Sequence, residues 1–251
     1  MIVNAARFLN ICYEHNIAKE STAGIGTLRE KRLHSVLKEY YDSDKSHHEI
    51  PYLGYVADIK NEDGITEIQT GALNPLYPKL AAFLPNEHVT IVHPVAVNRT
   101  ISWIDPQTGD ITQKHKSPKH GSVTDALIEL YNIRSHLSDP NLTINIVMIE
   151  VDEYRYRDGW SRDGKKGSHR YERIPVKLFD IITLNKPEDY YIFLPDSILD
   201  TDKFTVRDYK TALKINQRAA YYAVIALENA GVIKRGERTK SGYVYTRIPL
   251  L

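Results

Sequence analysis

The stretch Tyr55–Thr70, YVADIKNEDGITEIQT, decides how the chain is read. Two β-rich runs, Tyr55–Lys60 and Ile65–Thr70, flank Asn61-Glu62-Asp63-Gly64. A glycine-containing linker of that length between such runs predicts a β-hairpin. Residues two apart on a strand share a face, so Glu67 and Gln69 are expected to point together while Ile68 points to the opposite, buried side. The turn folds Asp58 back toward Glu67. Two carboxylates then converge beside one amide, a hard-oxygen set suited to Mg2+ that retains several of its waters.

On the N-terminal side, Leu33, Val36, Leu37, Tyr40 and Tyr41 fall on one face at helical spacing, which predicts a helix over Leu28–Tyr41. Glu30 lies one turn before Leu33 at the edge of that apolar stripe. An acid facing inward is costly unless it is paired or binds a cation, so Glu30 becomes a third candidate ligand. Residues 2–20 hold enough apolar and aromatic positions for a further, short helix. On the C-terminal side, a short helix over Pro75–Leu84 leads to a strand over His88–Val97 and another over Thr100–Ile104. Asp105–Gly109 is a turn, Val123–Leu137 an amphipathic helix, and Leu142–Val151 a β-branched central strand. Helices and strands alternate, so the body is α/β.

Helix with Glu30, then Asp58, then Glu67-Ile68-Gln69, then helix and strand resembles the core of the PD-(D/E)XK nucleases over about residues 26–150. The resemblance implies an αβββαβ restriction-endonuclease-like fold with a mixed sheet, and Mg2+-dependent cleavage of phosphodiesters, with Mn2+ able to substitute. It also implies that Asp58, Glu67 and the Ile68 backbone carbonyl hold the metal. Glu30 would bind a second metal or a metal-bound water, and Gln69 would orient the attacking water. The usual motif ends in Lys where this chain has Gln69, as in a minority of restriction endonucleases. An amide can orient water but brings no positive charge to the transition state. A decayed, binding-only nuclease fold is the other reading of the same residues.

Two further regions are basic. Residues 155–173, RYRDGWSRDGKKGSHRYER, hold seven Lys or Arg against three acids and three glycines. This reads as an arm in which Trp160, Arg162, Lys165, Lys166 and Arg170 grip a nucleic-acid backbone, or as a solvated hairpin. From Lys203 onward, ten basic residues face only Asp208, Glu228 and Glu237, a net +7 that leaves the rest of the chain at −6. Thr205 and Asp208 form a capping-box pattern opening one helix. Asn216 caps a second over Gln217–Ala230, Gly231 ends it, and two short strands flank the turn 237–242. This layout resembles a winged helix-turn-helix over residues 203–251. The resemblance implies that Gln217, Arg218 and Tyr221 enter the major groove while Lys234, Arg235, Arg238 and Lys240 touch phosphate or minor groove. The same module is also used elsewhere for dimerisation or packing.

The domain plan is therefore an N-terminal helical segment (1–25), a nuclease domain (26–152), a basic arm and connector (153–202) and a winged-helix domain (203–251). Composition is that of a globular protein: of 251 residues, 42% are hydrophobic and 26% charged. No apolar run reaches membrane-spanning length, and no membrane partner is expected. The lone Cys12 excludes an internal disulfide and a Cys-rich zinc module, and favours a reducing cytoplasm. None of the ten His residues falls in an H-x-x-x-H pattern on an expected helix. The expectation is a cytoplasmic, Mg2+-dependent DNA endonuclease. DNA is its partner, and a homodimer or a larger defence, repair or mobile-element complex is its setting. A non-catalytic DNA-binding regulator is the alternative.

Overall fold

A computed structural model describes residues 3–21, 31–158, 169–240 and 242–249. The elements run α1 (Ala5–Ser21), α2 (Arg32–Tyr41), β1 (His48–Tyr52), β2 (Tyr55–Asn61), β3 (Gly64–Ile68), α3 (Tyr77–Phe83), β4 (Val89–Ile104), β5 (His115–Lys116), α4 (Val123–Leu130), β6 (Leu142–Tyr156), β7 (His169–Leu184), α5 (Asp196–Leu199), β8 (Phe204–Thr205), α6 (Val206–Leu213), α7 (Gln217–Asn229), β9 (Ile233–Thr239) and β10 (Gly242–Arg247). The fold is mixed α/β. Its large sheet has the order β1-β2-β3-β4-β6-β7, with β5 beside β4. β2 and β3 pair antiparallel, while β3 and β4 pair parallel across the α3 crossover. A separate sheet runs β8-β10-β9.

The chain divides into two compact units. The first comprises Met1–His48, Pro94–Ser122 and Val147–Ile181, the second Glu49–His93, Val123–Ile146 and Ile182–Leu251. In the first, Phe8 of α1 meets Tyr40 of α2 edge-on at 5.5 Å, and the Asn4 N–H donates to the Tyr40 hydroxyl at 3.0 Å. Leu33, Val36 and Leu37 are buried, as their spacing predicts. Cys12 is buried in the same layer, and burial pushes its thiol up to about 12, so it is inert.

In the second unit the expected hairpin forms with a two-residue loop, since Asn61 pairs with Gly64. The Asn61 side chain accepts from the Asp63 N–H at 3.0 Å and sets the turn. Gly64 is obligatory there. Its φ is +113°, and a Cβ would meet the His88 carbonyl oxygen at 2.3 Å. Ala57, Ile59, Ile65 and Ile68 are buried on the hairpin, and Leu80 and Phe83 on α3.

Several boundaries differ from expectation. β1 was not anticipated: it is a short edge strand carrying Pro51, whose missing N–H an edge tolerates. β4 is one sixteen-residue strand rather than two, and β6 runs on to Tyr156. Part of the expected connector is the second edge strand, β7, whose buried positions Pro175, Leu178, Ile181 and Leu184 recur every third residue rather than every second. The helix expected over Val123–Leu137 is α for its first eight residues, then 3-10 over Tyr131–His136, with Ile133 breaking the helical angles.

Candidate functional site

The β2–β3 ladder is printed on the chain by Ile59 opposite Thr66 and Lys60 opposite Ile65. Carried one step further, that antiparallel register sets Asp58 across from Glu67. Asp58 is half-buried, and its Oδ2 accepts from the Ile68 N–H at 2.7 Å, so the acid takes up an amide where the ladder stops. Glu67 lies on the same face as Ile65 and is only 1% exposed. It was expected on an open polar face, but the sheet interior claims it.

An ionised carboxylate at such depth needs compensation. Lys79 of α3 supplies it. Its Nζ donates to Glu67 Oε2 at 2.7 Å and to the Val56 carbonyl at 2.7 Å, tying the helix to both strands of the hairpin. The compensation is incomplete. Burial first, then the charge of Asp58, push the Glu67 carboxyl up to about 7 against the pull of Lys79. A backbone approach from Asp58 eases the carboxylate slightly, yet Glu67 Oε1 is buried and completes no hydrogen bond among the described residues. Sequence reading passed over Lys79 because it lies twelve residues from Glu67 on another element. The only signal was a Lys on the helix directly after a motif that lacks one.

Gln69 stands apart from this pair. β3 ends at Ile68, the Gln69 N–H donates to the Val92 carbonyl at 2.9 Å, and its side-chain Nε2 donates to the Ala72 carbonyl at 2.7 Å. Its own carbonyl meets His93 Nδ1 at 2.8 Å. The amide thus holds the β3–α3 connection, where it was expected beside Glu67. Glu30 falls outside the described residues, and α2 begins at Arg32 with Lys31 as its N-cap. Among the described residues, no three His, Cys, Asp or Glu side chains gather as a metal site. The donor set at the hairpin is two carboxylates with one unmet oxygen.

The C-terminal elements form by the expected capping. Thr205 Oγ1 accepts from the Asp208 N–H and Asp208 Oδ2 from the Thr205 N–H, closing the capping box. Lys214 takes a left-handed conformation in the turn, and Asn216 Oδ1 accepts from the Ala219 N–H at 2.9 Å. Gln217, Arg218 and Tyr221 are exposed at the start of α7. Arg218 is engaged locally: its Nε donates to the Tyr222 hydroxyl at 2.9 Å, and Tyr222 in turn stacks on Tyr131 at 4.1 Å. Tyr222, half-buried, is therefore a packing residue at the face shared with α4 and the Tyr131–His136 turn. On β9 and its turn, Lys234, Arg235, Arg238 and Lys240 are all exposed. Arg235 pairs with Glu228, and Arg235 and Arg238 both lie over the Tyr243 ring, so part of the wing's charge is internally answered.

Of the expected arm, Trp160, Arg162, Lys165 and Lys166 lie outside the described residues. Arg170 is on β7 and approaches the buried Glu153 at 3.4 Å.

The sequence model of a family described as a domain of unknown function (DUF8091) matches residues 31–185. A Treponema pallidum (strain Nichols) protein described as uncharacterized is 29% identical over 167 residues, which are 66% of this chain and 64% of that protein. The match thus spans less than two thirds of that relative's length. No solved structure matches. Among the described residues, no helix is long and apolar enough to cross a membrane.

Proposed function

We propose that this chain, which belongs to the DUF8091 family, is a Mg2+-dependent DNA endonuclease of the PD-(D/E)XK type followed by a winged-helix DNA-binding module, and that it works in the reducing cytoplasm. The observation that carries the reading is the pair Asp58 and Glu67 facing each other across a hairpin, with Lys79 on the next helix reaching Glu67. The order helix, three strands, helix, strand supports it. The order α5-β8-α6-α7-β9-β10, with a three-stranded sheet, supports the winged-helix part.

Asp58, Glu67 and the Ile68 carbonyl would hold the metal. When bound it stabilises charge on the phosphate and makes a coordinated water more acidic. Glu67 must give up its proton to bind, and the unmet Oε1 is the atom it offers. Lys79 brings the positive charge that the family's usual motif takes from Lys and that Gln69 cannot bring. Gln69 holds the connection from β3 to α3 through the Ala72 carbonyl.

The second reading, a DNA-binding regulator on a decayed nuclease fold, draws on a different observation. Lys79 already neutralises one oxygen of Glu67, the acid that would have to bind the metal. Purified protein offered supercoiled DNA, and structured RNA beside it, in Mg2+ or Mn2+ tests the choice. Nicking of DNA that vanishes in Asp58→Ala supports the nuclease. Nicking that survives in Asp58→Ala removes the site assignment, and binding without nicking leaves the regulator.

A further inference from the structure

The first compact unit carries a second cluster of charge on three neighbouring strands, β4, β6 and β7. At its centre is Glu153 of β6, fully buried. Arg155 Nε donates to its Oε1 at 2.6 Å, Arg173 Nε to its Oε2 at 2.9 Å, and Arg170 Nε lies 3.4 Å from the same Oε2. Burial alone would raise Glu153, but Arg173, Arg170 and Arg155 outweigh it and hold the carboxyl below its usual range. One carboxylate has only two oxygens, and three guanidiniums already share them.

A fourth guanidinium, Arg99 of β4, stands close enough to Arg170 to repel it, and its own buried Nε has no hydrogen-bond partner among the described residues. Among the described residues, Asp152 pairs with Lys114 at 2.6 Å and Glu172 with Arg32. Three arginines thus share one carboxylate, and a fourth stands beside Arg170. Repulsion of this kind costs stability unless something negative relieves it. Arg170 is 46% exposed, so a solute can reach the cluster from that side. Guanidiniums present planar pairs of donors that match phosphate oxygens, and a buried Nε without an acceptor is the vacancy such an oxygen fills.

We propose that Arg99, Arg155, Arg170 and Arg173 form a binding site for the phosphodiester backbone of a nucleic acid. A backbone is favoured over a single anion because four guanidiniums spread over three neighbouring strands offer more donors than the oxygens of one anion can take up. The anion site stands on its own geometry, while its assignment to nucleic acid rests on the nuclease reading. Glu153 is the internal counter-charge that lets three arginines assemble before a ligand arrives. Arg99, which has no share of it, is the residue devoted to the ligand.

The test measures binding in EDTA, where hydrolysis plays no part. Duplex DNA affinity is followed against salt for wild type, Arg99→Gln, Arg99→Gln/Arg170→Gln and Arg99→Lys. Each lost phosphate contact should reduce the slope of log affinity on log salt by about 0.9, so the double variant should lose about 2. Arg99→Lys should keep the wild-type slope. Without DNA, the melting temperature of Arg99→Gln should equal or exceed wild type, because a repelling charge has gone. An unchanged slope in the double variant overturns the proposal, as does a lower melting temperature in Arg99→Gln with an unchanged slope, which would make Arg99 a structural brace. Inorganic phosphate at matched ionic strength is the second arm. If it raises the wild-type melting temperature while the DNA slopes coincide, the site takes a free anion and the nucleic-acid assignment fails. A reduced slope in a protein that never nicks DNA sustains this site and removes only the nuclease reading.

Discussion

Lys79 on α3 and Glu67 on β3 form a 2.7 Å ion pair in which the acid is buried and the base remains partly in water. The asymmetry matters. Removing the base leaves a buried carboxylate with no cation, whereas removing the acid leaves a lysine that can turn toward solvent.

Lys79→Met should therefore lower stability by about 1–3 kcal/mol at pH 8, the usual cost of a buried polar group left without its partner. The loss should shrink at pH 5, where Glu67 keeps its proton. Urea unfolding at the two pH values measures this. Adding Glu67→Gln to Lys79→Met should recover part of the loss, because two coupled neighbours do not add.

The pH dependence of the metal-free protein has a definite direction. Glu67 is held at about 7 in the folded chain, above the ordinary carboxylate value of 4.5. Between these values the folded state keeps a proton that the unfolded state has released. Its contribution to stability is complete below the ordinary value and is lost as pH rises through about 7. Melting temperature should fall from pH 5 to pH 8 in wild type, and less steeply in Glu67→Gln. Mg2+ competes with that proton, so its affinity should climb with pH up to about 7 and then level.

Glu153 behaves in the opposite sense. Its carboxyl is held low, so its contribution is complete above the ordinary carboxylate range and is lost as pH falls through the folded-state value. Glu153→Ala leaves Arg155 and Arg173 facing each other and should cost about 3–5 kcal/mol, as breaking a buried charge pair does. Guanidinium unfolding at pH 7 checks the figure.

What could be read from the sequence followed from local rules. Asn61 and Gly64 announce the hairpin, Thr205 and Asp208 the start of α6, and the five apolar positions of α2 its buried face. β1 and β7 were hidden by other causes. The first is five residues long with a proline, and the second has buried positions spaced three apart, a period that matches no regular strand. The site was half legible. Asp58 and Glu67 are brought together by a register that sequence spacing alone can supply. The Lys79 contact depends on where a helix lands after its crossover, and the displacement of Gln69 depends on β3 ending at Ile68, two residues earlier than expected. The burial of Glu67 likewise reflects sheet packing rather than hairpin pattern.

The Tyr131–Tyr222 stack ties α7 to the α4 region within one compact unit. Deleting residues 203–251 should consequently destabilise what remains, beyond removing the net charge of +7. Tyr222→Ala should cost about 1–2 kcal/mol, a stacked aromatic pair being worth about 0.5–1.5 kcal/mol beyond its buried area. A calorimetric scan of Tyr222→Ala showing wild-type stability would mean that α7 does not depend on this contact.

Hydrolysis at the Asp58–Glu67 pair is measured by single-turnover cleavage of supercoiled plasmid in Mg2+. Wild type is predicted to convert the plasmid to nicked or linear form. Asp58→Asn and Glu67→Gln should fall to background, and Lys79→Met should be slower by roughly 10²-fold or more, the loss expected when one preorganised charge is withdrawn from the transition state. Gln69→Ala should retain most of the wild-type rate, because its amide is occupied by Ala72. Wild type that leaves the plasmid intact in both Mg2+ and Mn2+, or Asp58→Asn that cuts as fast as wild type, would contradict the central claim.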